Sequence, residues 1–219
     1  MRTAVTAIFN GYERSKAPPA GIRSVLVTDG SVTDDRWNVT LDRRNHGLSP
    51  QRQIFCYKLV PHISISDGDD VLWIDGSMEP TGKDVNELFD LVPPGGVGIH
   101  RHPQRDCFWD EALFSKQDQR YAERDRGLRS IEQGEYYKTH GCPLHGGLWA
   151  TGIIVWRGAQ KTIGERWFAE TTNWSASDQI ALPYVLYRLG TTITSLPGSV
   201  YQSPWFNYVE HGAIGRTTR

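Results

Sequence analysis

The stretch Val71-Leu72-Trp73-Ile74-Asp75-Gly76-Ser77 decides the fold. Four apolar residues run into a carboxylate, a glycine and a hydroxyl. A short apolar run stopped by a turn signal fits a strand covered on both faces, the usual situation in a parallel sheet. Ligands of open α/β sheets bind just outside the carboxyl ends of the strands. Asp75, Gly76 and Ser77 would therefore arrive where a ligand sits. An acid placed there can hold a divalent metal, and the metal can hold phosphate groups. Asp-Gly is also an ordinary turn former, so this stretch gains meaning only from its surroundings.

Reading outward, the same grammar recurs. Ala4 to Phe9 predicts a first strand closed by Asn10-Gly11, and Ser24 to Thr28 a second stopped by Asp29-Gly30. Trp37 to Leu41 is a shorter, more exposed candidate. Ser49 and Pro50 open a helix as cap and first-turn proline, and Pro61 ends it. Past the central stretch, Asp84 caps a short helix and Val97 to His100 gives another strand. Phe108 to Ile131 reads as one long surface helix or two shorter ones, and Tyr136 to Gly147 as loop. Leu148 to Trp156 predicts another central strand. Helices follow at Glu165 to Glu170 and Asp178 to Leu189, then a last strand at Ile193 to Leu196. Strands alternating with helices indicate a mostly parallel α/β sheet flanked by helices. Residues 1–219 are expected to form one domain, with an irregular tail from about 201.

Composition narrows the class. Hydrophobic residues make up 38% of the 219 and charged residues 22%, so a globular chain with a sizeable core is expected. Net charge is −1, which removes any global electrostatic case for nucleic acid or an acidic membrane surface. Cys56, Cys107 and Cys142 are widely spaced and odd in number, which suits a reducing compartment. No apolar run matches a membrane span and the first residues do not read as a signal peptide, so the expectation is a cytoplasmic protein without a membrane partner.

Several residues could carry chemistry at the sheet edge. Phe9, Asn10, Tyr12 and Asp29 sit at the ends of the first two strands, where Tyr12 could stack on a base and Asp29 could accept from a base or ribose. Arg52 and Lys58 lie on the helix before the central strand and could reach a phosphate. Asp75 and Ser77 lack enough ligands for a hard cation, and His211 is the distant candidate that would complete them. His100, His102 and Arg105 follow a strand and, with Trp149 and Trp174, could face a hydroxyl-rich acceptor. Ser175 or Ser177 can cap a helix that begins with Asp178-Gln179, where a carboxylate could deprotonate an acceptor hydroxyl. His140, Cys142 and His145 have zinc-like spacing, and Cys107 could add a fourth ligand, although glycine and proline explain that loop without metal.

Five stretches in order resemble one family. They are Tyr57-Lys58-Leu59-Val60-Pro61-His62, Trp73-Ile74-Asp75-Gly76-Ser77, His102-Pro103-Gln104-Arg105-Asp106-Cys107 with Glu111-Ala112, Gly152-Ile153-Ile154-Val155 before Arg157, and Ser177-Asp178-Gln179. Together they look like a glycosyltransferase-like family related to plant mucilage and pectin glycosyltransferase-like proteins. The resemblance implies a GT-A (Rossmann-like) fold, a nucleotide-sugar donor such as a UDP-sugar, a glycan or glycoconjugate acceptor, and Mn2+ or Mg2+. It places Asp75 at the first acid of the metal-binding DxD motif, with Ser77 where the second acid is expected. It likens Asp178-Gln179 to a late Asp-Gln pair near the transferred sugar, and His211 to a late metal-binding histidine. Two other outcomes stay open. One is the same transfer onto a hydroxymethylated DNA base, followed by Arg101, Arg105, Arg124, Arg126, Arg129, Arg216 and Arg219 along the phosphates. The other is a sugar-binding protein without catalysis on the same fold.

Overall fold

The computed structural model describes residues 1–44, 47–63, 65, 68–117, 129–158 and 161–209. Its centre is an open seven-stranded sheet. The strands are β1 (Arg2–Ile8), β2 (Arg23–Thr28), β3 (Asn38–Leu41), β4 (Asp70–Ile74), β6 (Val97–Arg101), β7 (Trp149–Trp156) and β8 (Thr194–Leu196), in the order β3-β2-β1-β4-β7-β6-β8. Every neighbouring pair is parallel except those made by β7, which runs against both β4 and β6. A mostly parallel α/β sheet flanked by helices is therefore what the sequence pattern led one to expect. A separate pair, β5 (Met78–Pro80) with β9 (Phe206–Tyr208), is antiparallel. The tail expected to be irregular from about 201 thus contains a strand, because its aromatic residues fold back onto the segment just after Ser77.

The helices are α1 (Pro50–Leu59), α2 (Asn86–Asp90), α3 (Phe108–Gln117), α4 (Arg129–Thr139), α5 (Lys161–Asn173) and α6 (Asp178–Leu189). The expected loop over Tyr136 to Gly147 begins later, since α4 runs to Thr139 and buries Tyr137 completely. Here tertiary burial of one aromatic overrides a stretch rich in loop formers. The helix expected at Glu165 to Glu170 extends in both directions for the same reason, around the fully buried Trp167. No helix among the described residues is long and apolar enough to cross a membrane.

Alternation along β4 builds the two faces of the core. Val71 and Trp73 point into one layer, with Trp156 of β7 and with Phe55, Leu59, Trp167 and Leu182 from the helices that cover it. Leu72 and Ile74 point into the other, with Leu88, Phe89, Trp205 and Phe206. β4 is thus apolar on both sides, and its first polar side chain beyond the sheet is Asp75.

Two close contacts fix α1 relative to this sheet. Ser49 accepts from the Arg52 N–H at the start of α1, with Pro50 in its first turn. At the other end α5 crosses so tightly that a Cβ added to Gly164 would lie 2.1 Å from the Leu59 carbonyl oxygen. That oxygen is backbone and cannot swing aside. Gly164→Ala is therefore expected to cost about 1–3 kcal/mol of folding stability through forced displacement of the α1 terminus. Urea denaturation would measure it, and a stability equal to wild type would show that the contact is looser than described.

Candidate active site

Lys58 sits on the last turn of α1, and the Gly164 contact directs it inward. Its side chain is only 5% exposed, and its ammonium lies 2.7 Å from Asp178 Oδ2 and 3.1 Å from Asp75 Oδ1. Asp75 comes from the carboxyl end of β4 and Asp178 from the first turn of α6. The Trp73 indole N–H donates to Asp75 Oδ1 at 2.6 Å, and the Thr151 hydroxyl donates to Asp178 Oδ2 at 2.9 Å. Trp167 on α5 fixes the start of α6 from below by donating to the Asp178 carbonyl at 2.7 Å. Ser177 occupies the cap position with extended backbone but makes no side-chain bond to the helix, and Ser175 is instead bonded to Gln133.

The cluster holds two acids and one base, a net charge of −1 if all are ionised. The titration directions follow from that. Burial opposes the charge on Lys58, but Asp178 and Asp75 outweigh it and hold its ammonium above the ordinary lysine range. Burial raises the Asp75 carboxyl, the Lys58 charge pulls it back, and Asp178 pushes it up again, leaving it above the usual carboxylate range. One lysine cannot fully compensate two buried carboxylates.

The three side chains floor a cavity of about 150 Å³ that Tyr12, Glu13, Gly76, Ser77, Thr151 and Gln179 also line. Glu13 was not foreseen in the sequence. A Cβ on Gly76 would lie 2.0 Å from Glu13 Oε2, so this second acid rests directly over Gly76 beside Asp75. Thr151 was missed too, because a threonine inside an apolar strand gives no signal of which edge it serves. Gln179 Oε1 is buried and has no hydrogen-bond partner among the described residues. An open groove of about 1050 Å³ adjoins the cavity, shares Glu13, and is walled by the turns after β1 and β2.

The other expected residues divide. Tyr12 is half exposed and lines the cavity. Asn10, after β1, and Asp29, after β2, hold each other, the Asn10 N–H donating to Asp29 Oδ2 at 2.8 Å. Phe9 is buried against Tyr57, so it belongs to the core and not to a base-stacking surface. Arg52 donates to the carbonyls of Thr171 and Trp174, closing the end of α5. His100 is fully buried in the sheet and does not face the edge. Trp149 is buried under Arg101, and Trp174 packs on Tyr136 with ring centroids 5.1 Å apart. Arg105 binds the buried Glu111 at 2.5 Å, and Arg129 donates to the Asn173 carbonyl. Three of the seven arginines proposed to follow DNA are thus engaged with the fold, and His211, Arg124, Arg126, Arg216 and Arg219 lie outside the described residues.

No protein-family model and no curated protein matches the chain. Among solved structures it is similar to a bifunctional glycosyltransferase, WbbM, at 17% identity and a TM-score of 0.48, over 90% of this chain and 38% of that one. It is also similar to mouse xyloside xylosyltransferase 1 at 10% identity and a TM-score of 0.47, over 89% and 84% of the two chains. The chain thus spans well under half the length of the first of these. Likenesses this distant carry no argument about activity, which has to rest on the site itself.

Two outcomes follow from the electrostatics. Lys58→Met would leave two uncompensated buried carboxylates and is expected to cost about 3–5 kcal/mol near neutral pH. Without the cation that pulls it back, the raised Asp75 carboxyl binds its proton more tightly still when folded, so the deficit shrinks as pH falls, and denaturation at several pH values would show this. His102 behaves oppositely. Burial first, and the Arg105 charge second, bring it from 6.5 down to about 4. The unfolded chain therefore takes up a proton in that window that the folded chain refuses, and stability falls as pH drops from about 6.5 to about 4. His102 Nδ1 accepts from the Arg105 N–H at 3.0 Å, so His102→Asn keeps an acceptor and should flatten that slope.

Proposed function

We propose that this chain is a glycosyltransferase that takes a nucleotide-sugar, a UDP-sugar foremost, and passes the sugar to a hydroxyl of a glycan or glycoconjugate. The observation that carries the reading is the Asp75–Lys58–Asp178 cluster beneath the cavity at the carboxyl ends of β1 and β4. Charged groups held this way are costly to fold, and a buried carboxyl raised above its usual range in a cleft, as Asp75 is, is a mark of function. The adjoining groove between the first two turns has room for a nucleoside, and Tyr12 lines the neighbouring cavity.

The chemistry assigned to these groups is simple. The bond from the anomeric carbon to the diphosphate oxygen breaks, a bond to the acceptor oxygen forms, and the acceptor proton passes to the departing diphosphate. Asp178 accepts from Lys58 and from Thr151, which holds its carboxylate in place to accept from sugar hydroxyls and to balance positive charge at the anomeric carbon. Gln179 offers its unpartnered carbonyl oxygen to the same space. Lys58 holds the two acids in register.

Asp75, Glu13 and the Ser77 hydroxyl form an oxygen-only donor set that suits Mn2+ or Mg2+, which complete their shells with water and substrate phosphates. The Val209 N–H donates to the Ser77 carbonyl at 2.8 Å, which ties the last described residue to this site. Such an ion would supply positive charge to the departing diphosphate.

Purified protein incubated with nucleotide-sugars, with and without Mn2+, tests the reading through nucleotide release. Asp178→Asn should retain donor binding and lose about 10²–10⁴ in turnover. Asp75→Asn should lose metal-dependent donor binding. Glycan binding without donor turnover would mark a non-catalytic sugar-binding protein. Failure of every nucleotide-sugar to bind, with any divalent ion, would overturn the proposal.

A further inference from the structure

A second cluster lies away from the cavity, where the loop between α4 and β7 folds onto the start of α3. The Gly147 N–H donates to the Asp106 carbonyl at 2.9 Å and pins the loop there. Cys107, Asp110 and His145 then bring one ligand atom each to within 4.8 Å of one another. The three come from different depths: Cys107 is buried at 1% exposure, Asp110 is half-buried, and the His145 side chain is 62% exposed. His145 also holds a left-handed backbone, φ 56°, which a non-glycine residue adopts at some cost.

The imidazole is already oriented. Its Nδ1 is 2.8 Å from Asp106 Oδ1, which leaves Nε2 for the cluster. A carboxylate that accepts from the distal ring nitrogen is the usual support of a metal-bound histidine. His140, the other histidine of the loop, is turned away, stacked on Tyr136 and bonded to its carbonyl oxygen. The cluster therefore differs from the one expected from spacing alone, keeping Cys107 and His145 but with Asp110 in place of His140 and Cys142.

We propose that Cys107, Asp110 and His145 bind a zinc ion, with Asp106 as the positioning residue and water as the fourth ligand. A thiolate, an imidazole and a carboxylate suit zinc, whereas Mg2+ and Mn2+ prefer all-oxygen sets such as that around Asp75. Binding displaces the thiol proton of Cys107 to solvent and leaves the thiolate on the metal. The ion would clamp the loop to the first turn of α3, directly ahead of the strand that carries Thr151. Nothing in this assignment depends on the activity proposed for the cavity.

The test uses the full chain without an affinity tag, loaded with zinc and then dialysed against metal-free buffer. About one zinc per chain should remain. Cobalt substitution should give a thiolate-to-metal charge-transfer band that Cys107→Ser abolishes and Cys56→Ser leaves intact. Asp110→Asn and His145→Asn should weaken zinc binding by about 10- to 100-fold, and Asp106→Asn by an amount at the lower end of that range. Thermal melts of each variant in excess chelator should match the chelated wild type, which separates loss of metal from misfolding. A wild-type chain that retains no zinc and shows no cobalt–thiolate band would reduce the cluster to a surface Asp106–His145 ion pair and overturn the proposal. Zinc binding by Cys107→Ser with wild-type affinity would do the same.

Discussion

Three charged side chains share one buried spot at the edge of the sheet, and the geometry around them follows from that. Removing an ion from water costs several kcal/mol even after relaxation, so a buried lysine between two aspartates is poor as a source of stability. It is far better as a source of definition. The ammonium is satisfied only when the end of α1, the end of β4 and the first turn of α6 are each in place. The supporting donors are correspondingly specific: Trp73 to Asp75, Thr151 to Asp178, and Trp167 to the backbone of Asp178. Shifting any of these elements strands a charge.

The hydrophobic layers make such an arrangement tolerable. Trp73, Trp156 and Trp167 are all essentially fully buried on or beside the face that carries Lys58. Lys58 passes its aliphatic stem along this apolar layer, with its ammonium 5.9 Å from the Phe55 ring and 6.0 Å from the Trp73 ring. Part of the tryptophan content that suggested sugar contacts therefore belongs to the wall around a buried ion cluster. Trp174, packed on Tyr136, is the one expected acceptor residue of this type that remains partly exposed.

Much of this was legible in the chain because the signals were local. The run Val71 to Ile74 ended in Asp-Gly, Pro50 followed Ser49, and Asp178 opened an apolar helix; each maps onto one element with nearly the expected bounds. Asp75, Lys58, Ser77 and Gln179 meet around one cavity as the strand-end argument required. What stayed hidden was non-local. Nothing near Lys58 announces that it faces two acids, one of them 120 positions away. Glu13 belongs to no motif, and only the glycine at 76 leaves space for it. His100 has the right type and the right position in the chain, but strand alternation turns it into the packed interior. Arg52 looked like a free cation because the carbonyls that hold it come from another part of the fold, whereas the carboxylate that holds Arg105 is the nearby Glu111, buried at the start of α3.

The direction of β7 bears on how such a chain can vary. Because it alone runs backwards, its first residues, not its last, stand beside Asp75, whose N–H donates to the Gly152 carbonyl at 2.8 Å. The connection entering β7 thus arrives at the rim of the cavity, while the one leaving it returns to the far side. Extra residues inserted before Trp149 would reshape what the rim can accommodate. The same residues inserted after Trp156 would be remote from it. Among chains of this architecture, variation in what the cavity admits should accumulate in the incoming connection, leaving the outgoing one free to drift in length.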